Sequence, residues 1–255
     1  METYQKNLKE MKELINEEEK TNELKNKNKN NLLSGLLKFD ITQDLETLNK
    51  LIIKEYTKNT YYGDLNKWLM NSKINSYETI AYYTARLMYS LNSYGDNKNK
   101  YFKETKELRR GIKIPYSCLL PYERAIGKVI LFSGFTSTSE SEKAARNFSG
   151  REKARFHYES KKLFSIIYTI KNAYKQNFIS NCVNVRQESA HKGEDEILYQ
   201  PFSFYLVRDV QIDLSNYTAD ISLETIGKEE ILEEEIRIGK EIFYNEKNRI
   251  MEIKK

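Results

Sequence analysis

Apolar residues recur at three- and four-residue spacing through the first 95 residues, which is the pattern of amphipathic helices. Three helices are predicted. The first is marked by Leu45, Leu48 and Ile52, has Asp40 or Thr42 as its N-cap and ends near Tyr56-Thr57. The second is a short helix over 62–69, and the third begins with the capping-box-like pair Asn75 and Glu78 and runs to Leu91. Before them, residues 1–38 alternate Lys, Glu and Asn around a thin apolar stripe. We interpret this segment as a charged helical arm and linker, and residues 39–255 as one domain.

From about residue 108 the pattern changes to short apolar runs and alternation, which are typical of strands. Strands are predicted at 112–114, 128–132, 164–170, 197–199 and 202–213, with Pro201 separating the last two. Between them, 141–148 is predicted to be a short helix and 148–160 a basic loop; later, Lys228–Ile238 is predicted to be an acidic helix and 242–253 a hairpin. Helices followed by strands predict an α+β domain and not a doubly wound one.

Composition excludes several classes of protein. The chain has 255 residues, 39% of them hydrophobic and 31% charged, and we expect no transmembrane segment and no signal peptide. A formal charge of +5 with dispersed basic residues does not predict a nucleic-acid partner. The two cysteines are far apart and the two histidines lack ligand spacing, so we expect neither a disulfide framework nor a metal site. We expect an intracellular protein, with delivery into a host cell by a signal-independent route left open.

The acidic segment Gly193–Pro201 carries the first candidate chemistry. Glu194 and Glu196 precede the apolar run 197–199, and strand alternation continued back through them places both carboxylates on one face and Asp195 on the other. Two carboxylates on one face of a half-buried strand hold their charge only at a cost, unless a cation or polar groups meet them. The segment is therefore a candidate site, although an acidic turn before a strand is the simpler alternative.

Two further polar features lie at the edges of predicted strands, namely Arg110-Gly111 and Ser137-Thr138-Ser139. Each also has a plain structural interpretation, since Arg110 can be a solvated charge at a strand end and the Ser/Thr run can be a turn.

Taken in order, these three features resemble the arginine-specific mono-ADP-ribosyltransferases, the group of vertebrate ecto-enzymes and enzymatic components of clostridial binary toxins. The acidic segment also fits the family's pattern of a serine (Ser189), an aromatic two residues on (His191 here), E-x-E and an apolar strand ending in Pro201. Upstream, the residues that resemble the family's helical segment are Tyr56-Thr57, Tyr61 or Tyr62, Asn66 and Leu69, with one extra residue and with Met70 where an arginine is usual. The resemblance covers about residues 40–215.

The resemblance implies an ADP-ribosyltransferase fold, in which N-terminal helices precede a mixed β-sandwich of two sheets. It implies NAD as co-substrate, no metal, a monomeric enzyme and a protein arginine as acceptor. Cleavage of the glycosidic bond of NAD creates an oxocarbenium-like ribose, a charge that carboxylates stabilise in glycosidases. By the resemblance, Glu196 stabilises that charge, Glu194 orients the acceptor guanidinium and helps remove its proton, Ser137 holds Glu196, and Arg110 binds the phosphates.

The remaining roles that the resemblance implies concern NAD binding and the acceptor. Gly111 would bind the nicotinamide amide through its backbone, and His191 would face the acceptor protein. Other NAD contacts would come from Thr138, Ser139, Tyr56, Tyr62, Asn66, Phe148 and Arg151. Phe148 can equally be the last core residue of a short helix. An NAD glycohydrolase, or a degenerate fold that acts as a binding module, is the alternative function.

Overall fold

A computed structural model describes residues 44–58, 65, 66, 69, 77–98, 101, 106–172, 182–191 and 193–226. The predicted arm (1–38), the predicted acidic helix at Lys228–Ile238, the predicted hairpin (242–253) and Tyr62 lie outside the described residues.

Two helices come first, α1 (Leu45–Thr57) and α2 (Tyr77–Lys98). Asp44 caps α1, because its side chain accepts hydrogen bonds from the backbone N and the hydroxyl of Thr47 at 3.0 and 2.5 Å. The cap predicted at Asp40 or Thr42 is therefore wrong by two residues or more. The apolar stripes of both helices are buried together, and they pack on Phe135, which precedes a strand, and on Leu198 of the sheet. This packing fixes the C-terminal end of α1 beside the strands that carry the polar motifs.

The rest of the described chain is mainly strand. The elements are β1 (Glu107–Pro115), a 3₁₀ turn (Tyr116–Cys118), α3 (Leu120–Arg124), β2 (Val129–Phe132), β3 (Thr136–Ser139), α4 (Glu142–Ser149), a 3₁₀ turn (Arg151–Lys153), α5 (Ala154–Lys161), β4 (Leu163–Lys171), β5 (Cys182–Asn184), β6 (Glu196–Tyr199), β7 (Ser203–Asp213) and β8 (Thr218–Thr225).

These strands form a curled sheet in the order β2-β7-β8-β4-β1-β3-β6-β5, antiparallel throughout except for the parallel pair β4–β8. The α+β class is confirmed. Hydrogen bonds join all eight described strands into one continuous sheet. The described strands therefore do not form the two separate sheets that were expected. The link between β1 and β3 is nevertheless narrow, because Arg109 and Ser139 are its registered pair. The polar motifs lie at this link.

Three local predictions differ from the structure. Residues 148–160, predicted to be a basic loop, instead hold the end of α4, a 3₁₀ turn and most of α5. Tertiary contacts stabilise α5 despite its polar sequence, since Ala154 is buried and Tyr158 stacks on Tyr217 with ring centroids 3.9 Å apart. The Ser/Thr run, for which a turn was an alternative, is strand β3, and β5 and β8 were not predicted.

Candidate active site

A cleft of ≈ 360 Å³ opens at the narrow link of the sheet, between β1, β3, α4, the end of α1 and the acidic turn, which we define as Glu194–Glu196. It is lined by ten of the predicted residues: Tyr56, Arg110, Gly111, Ser137, Thr138, Ser139, Phe148, His191, Glu194 and Glu196. Two others, Asn66 and Arg151, do not line it. The structure therefore gathers residues that are up to 140 positions apart in the chain into one cavity.

Glu196 lies at the start of β6 and is 6% exposed. Each of its carboxylate oxygens accepts a hydrogen bond, Oε1 from the Ser137 hydroxyl and Oε2 from the Ser189 hydroxyl, both at 2.7 Å. Hydrogen bonds to both oxygens fix the rotamer of this buried acid and offset its loss of hydration. The carboxylate is thereby held against one wall of the cleft.

Both glutamates line the cleft, as predicted, but strand alternation is not the reason. Strand β6 begins only at Glu196, and Asp195 has a left-handed backbone with φ 49°. Asp195 turns away from the cleft and forms an ion pair with Arg186 (Nε to Oδ1, 2.7 Å). A left-handed turn, and not a continuous strand, therefore brings the two carboxylates to the same cavity.

Glu194 is more exposed to solvent than Glu196. Desolvation raises the pKa of Glu194 above its ordinary value of 4.5; the charge of nearby His191 lowers it, and the charge of Glu196 raises it. No hydrogen bond joins the Glu194 carboxylate to another of the described residues. This carboxylate is thus available for an incoming hydrogen-bond donor.

The raised pKa of Glu194 predicts how a glutamine at this position changes stability. A carboxyl whose pKa is higher in the folded than in the unfolded state stabilises the fold at low pH. That stabilisation is lost as the pH rises through the pKa of the folded state. Glu194→Gln is therefore expected to raise the Tm relative to wild type at pH 7, with the gain disappearing below about pH 4. Thermal denaturation at both pH values measures this. A lower Tm for Glu194→Gln at pH 7 would contradict it.

The hydroxyls of the three successive residues Ser137, Thr138 and Ser139 on β3 have distinct partners. Ser137 binds Glu196, whereas the Thr138 hydroxyl donates to the carbonyl of Ile197 at 2.7 Å. The Ser139 hydroxyl donates to the carbonyl of Glu194 at 2.6 Å and accepts from the backbone N of Ser141 at 2.9 Å. The Thr138 hydroxyl thus fastens β3 to β6, and the Ser139 hydroxyl fastens β3 to the acidic turn. Both residues, which were predicted to contact NAD, also line the cleft.

Arg110 lies on β1, across the cleft from the acidic turn. Its Nη1 donates to the carbonyl of Ser137 at 2.8 Å, which holds the half-buried guanidinium in place. Arg110 also lines a second cavity of ≈ 610 Å³, whose walls are largely aromatic and aliphatic and include Tyr122, Phe132 and Tyr168. A fixed cation therefore stands where two cavities meet, which suits an anionic group such as a phosphate.

Gly111 is required for a close approach between β1 and α4. A Cβ at this position would lie 1.8 Å from the carbonyl oxygen of Ala145 and 2.6 Å from the backbone N of Ser149. Ser141 is the N-cap of α4, because its hydroxyl accepts from the backbone N of Ala144 at 3.2 Å. The absence of a side chain at residue 111 thus allows α4 to form a wall of the cleft.

The other predicted NAD contacts divide into three groups. Phe148 is 48% exposed and lines the cleft, so it is not a core residue of α4. Tyr56 and Asn66 are buried, and the Asn66 amide bonds the Tyr56 hydroxyl and both backbone polar groups of Phe135, just before β3. Arg151 is paired with Asp220 of β8 and with the carbonyl of Ala219, away from the cleft.

Two residues outside the predicted site also hold it together. Ser189 was noted as part of the family pattern but not as a site residue, although it binds Glu196 as closely as Ser137 does. Thr57 lines the cleft, and its hydroxyl accepts from the backbone N of Ala190 at 2.8 Å, which connects α1 to the loop before the acidic turn. The adjacent Tyr56-Thr57 match was the available signal for Thr57.

Two features are absent from the part of the chain that the structure describes. No group of three or more His, Cys, Asp or Glu side chains in it could hold a metal ion. None of its helices is both long enough and apolar enough to cross a membrane.

Comparison of the sequence with family models finds no match, and comparison with curated proteins finds none either. Solved structures do match. Vis toxin, an ADP-ribosyltransferase from Vibrio splendidus, matches with a TM-score of 0.53 and 18% identity over 71% of this chain and 74% of that one. Vis in complex with agmatine matches with a TM-score of 0.53 and 16% identity over 87% and 86% of the two chains.

A third match is the ADP-ribosyltransferase HopU1 of Pseudomonas syringae pv. tomato, with a TM-score of 0.52 and 15% identity over 72% of this chain and 78% of that one. Identities this low show a shared fold and do not transfer an activity. The order of strands and helices that builds the cleft is thus the fold of the bacterial mono-ADP-ribosyltransferases.

Proposed function

We propose that this protein transfers ADP-ribose from NAD to an arginine side chain of a target protein and releases nicotinamide. The observation that carries the proposal is the pair of glutamates in one cleft, with Glu196 buried and bound by two serine hydroxyls and Glu194 without a side-chain hydrogen bond among the described residues. The fixed acid suits stabilisation of a developing positive charge. Glu194, whose carboxylate is available, suits an ADP-ribose acceptor that carries hydrogen-bond donors.

NAD fits the two cavities on either side of Arg110. A pyrophosphate bound by this guanidinium would leave one half of the dinucleotide in each cavity. The nicotinamide riboside half belongs in the smaller cleft, because that cavity contains Glu196 and the exposed ring of Phe148. The adenosine half would then lie against the aromatic walls of the larger cavity.

The reaction replaces one bond to the anomeric carbon by another. The bond from ribose C1′ to the nicotinamide nitrogen breaks, and its electron pair leaves with nicotinamide. Glu196 stabilises the oxocarbenium-like ribose, since its charge is fixed before the reaction and needs no rearrangement. A guanidinium nitrogen of the acceptor then bonds to C1′, and Glu194 takes the proton that this nitrogen loses.

A guanidinium acceptor is supported by two observations. Glu194 has a carboxylate open to the cleft, and an arginine is a bidentate donor that matches a carboxylate. The Vis structure with agmatine shows that a protein of this fold binds a guanidinium compound. His191 lines the same part of the cleft and would contact the acceptor.

Glu194→Gln is expected to lower transfer to arginine by about 10²- to 10⁴-fold and to leave hydrolysis of NAD to free ADP-ribose within about threefold of wild type. The reason is that water needs neither orientation by Glu194 nor removal of a proton from a guanidinium. Labelled NAD with agmatine or polyarginine measures transfer, and nicotinamide release without acceptor measures hydrolysis.

The matched control is Glu159→Gln, which removes an exposed carboxylate of α5 that does not line the cleft. It should leave both reactions unchanged. Hydrolysis by the wild type without any transfer would instead identify a glycohydrolase. Absence of both reactions, together with no effect of millimolar NAD on the Tm, would identify a binding module.

A further inference from the structure

The acidic turn contains a backbone conformation that its central residue does not favour. Asp195 has φ 49°, in the left-handed region that glycine adopts easily and other residues seldom adopt. Aspartate is among the better-tolerated residues there, but it still prefers the extended or helical regions. If Asp195 relaxed, Glu194 would rotate relative to Glu196, since the turn is what places both in the cleft.

An ion-pair network holds this residue. Arg186 Nε lies 2.7 Å from Asp195 Oδ1, and Arg186 Nη2 lies 3.2 Å from Glu140 Oε2. The other oxygen of Glu140 lies 3.2 Å from Nζ of Lys106. Single surface ion pairs contribute little, but the charge of Arg186 attracts two carboxylates at once. Its contact with Glu140 is a hydrogen bond, whereas its contact with Asp195 is an ion pair only, because Nε finds no hydrogen-bond partner among the described residues. The network therefore joins the acidic turn to the residue that directly follows β3.

The two glutamates differ in how much they depend on this network. Glu196 is held through its side chain by Ser137 and Ser189, and it begins the hydrogen-bonded strand β6. Glu194 is held through its backbone, by Ser139 at its carbonyl and by the carbonyl of His191 at its N–H. Loss of the left-handed turn would consequently displace the Glu194 carboxylate and leave Glu196 in place.

We propose that Arg186 is a positioning residue for the acceptor step: it holds Asp195 in the left-handed conformation and thereby aims Glu194 at the arginine of the target. This inference rests on the proposed function, because it assigns Glu194 to the acceptor. Arg186 does not line the cleft and acts only through the turn.

The first test is Arg186→Met, which keeps much of the aliphatic stem and removes the charge. We expect kcat/KM for agmatine to fall about tenfold, with nicotinamide release into water unchanged within about twofold. The matched control is Arg208→Met on β7, because Arg208 has an ion pair of the same length with Glu224 (Nε to Oε2, 2.7 Å) and does not line the cleft. Equal losses of transfer and hydrolysis in Arg186→Met would overturn the inference.

The second test asks whether Arg186 acts through the backbone of residue 195. Glycine adopts positive φ without help, so Asp195→Gly removes the need for the ion pair. In an Asp195→Gly background, Arg186→Met is expected to change transfer by less than about twofold, although it costs about tenfold in the wild-type background. A full tenfold loss in both backgrounds would show that Arg186 does not act through the turn.

A third measurement does not depend on the reaction. Hydrogen exchange of the peptide that covers 193–199 should be faster in Arg186→Met than in wild type or Arg208→Met, because the Glu194 N–H loses its fixed acceptor. Unchanged exchange and unchanged transfer would overturn the inference while the proposed function stands. A wild-type protein without transfer would overturn the proposed function, and faster exchange in the variant would still show that Arg186 holds the turn.

Discussion

Glu196→Gln is expected to lower both transfer to agmatine and release of nicotinamide into water by about 10³-fold, without unfolding the protein. Both reactions pass through the same oxocarbenium-like ribose, and the carboxylate charge is the group that stabilises it. This pattern differs from that of Glu194→Gln, for which hydrolysis survives. The contrast between the two variants separates the residue that serves bond cleavage from the residue that serves the acceptor.

The fold should survive Glu196→Gln because the hydrogen bonds of this position can be kept. A glutamine oxygen accepts from one serine as the carboxylate does, and the amide NH₂ can donate to the other, since a hydroxyl both donates and accepts. Removing a buried charge also removes its desolvation cost. We therefore expect a Tm equal to or above that of wild type, measured by thermal denaturation beside the two assays.

Two outcomes would contradict this prediction. Nicotinamide release above about a tenth of the wild-type rate would show that the Glu196 charge is not needed for cleavage. A large fall in Tm would show that the serine hydroxyls cannot reorient, and the loss of activity would then have a structural cause. Glu159→Gln serves again as the matched control, because it removes one carboxylate outside the cleft.

The candidate site could be predicted from the sequence to the extent that its chemistry lies in short motifs. Arg110, the Ser137–Ser139 run and the two glutamates have side chains whose types suit a dinucleotide and a developing charge, and all of them line one cleft. Strand alternation, the predicted reason why Glu194 faces the same way as Glu196, was nevertheless wrong. Period-two alternation assumes a continuous strand, and the positive φ of Asp195 leaves no trace in the hydrophobic pattern.

Long-range contacts account for the remaining differences. Helix α5 is stabilised by stacking of Tyr158 on Tyr217, a residue 59 positions further along the chain, which no local pattern reveals. By the resemblance Arg151 was expected to contact NAD, whereas in the structure its guanidinium is paired with Asp220 on β8. Strand β8 itself was not predicted, so neither contact could have been expected.

Gly111→Ala is expected to destabilise the fold by about 3 kcal/mol, the upper end of the range for overpacking. The added Cβ would lie 1.8 Å from the carbonyl oxygen of Ala145, and this neighbour is helix backbone that cannot rotate away. For a domain of this size the Tm should fall by roughly 10 °C. The matched control is Gly193→Ala, because a Cβ at Gly193 meets nothing within 4 Å, and its effect should be below about 0.5 kcal/mol.

The same variant also tests what Gly111 does for NAD. If α4 moves away from β1 to admit the methyl group, Ala144, Ala145 and Phe148 move with it, and the wall of the cleft they form is displaced. NAD should then stabilise Gly111→Ala less than wild type at equal concentration, measured as the shift in Tm. A normal Tm without NAD, combined with a lost response to NAD, would contradict the packing role and favour direct contact between the Gly111 backbone and nicotinamide.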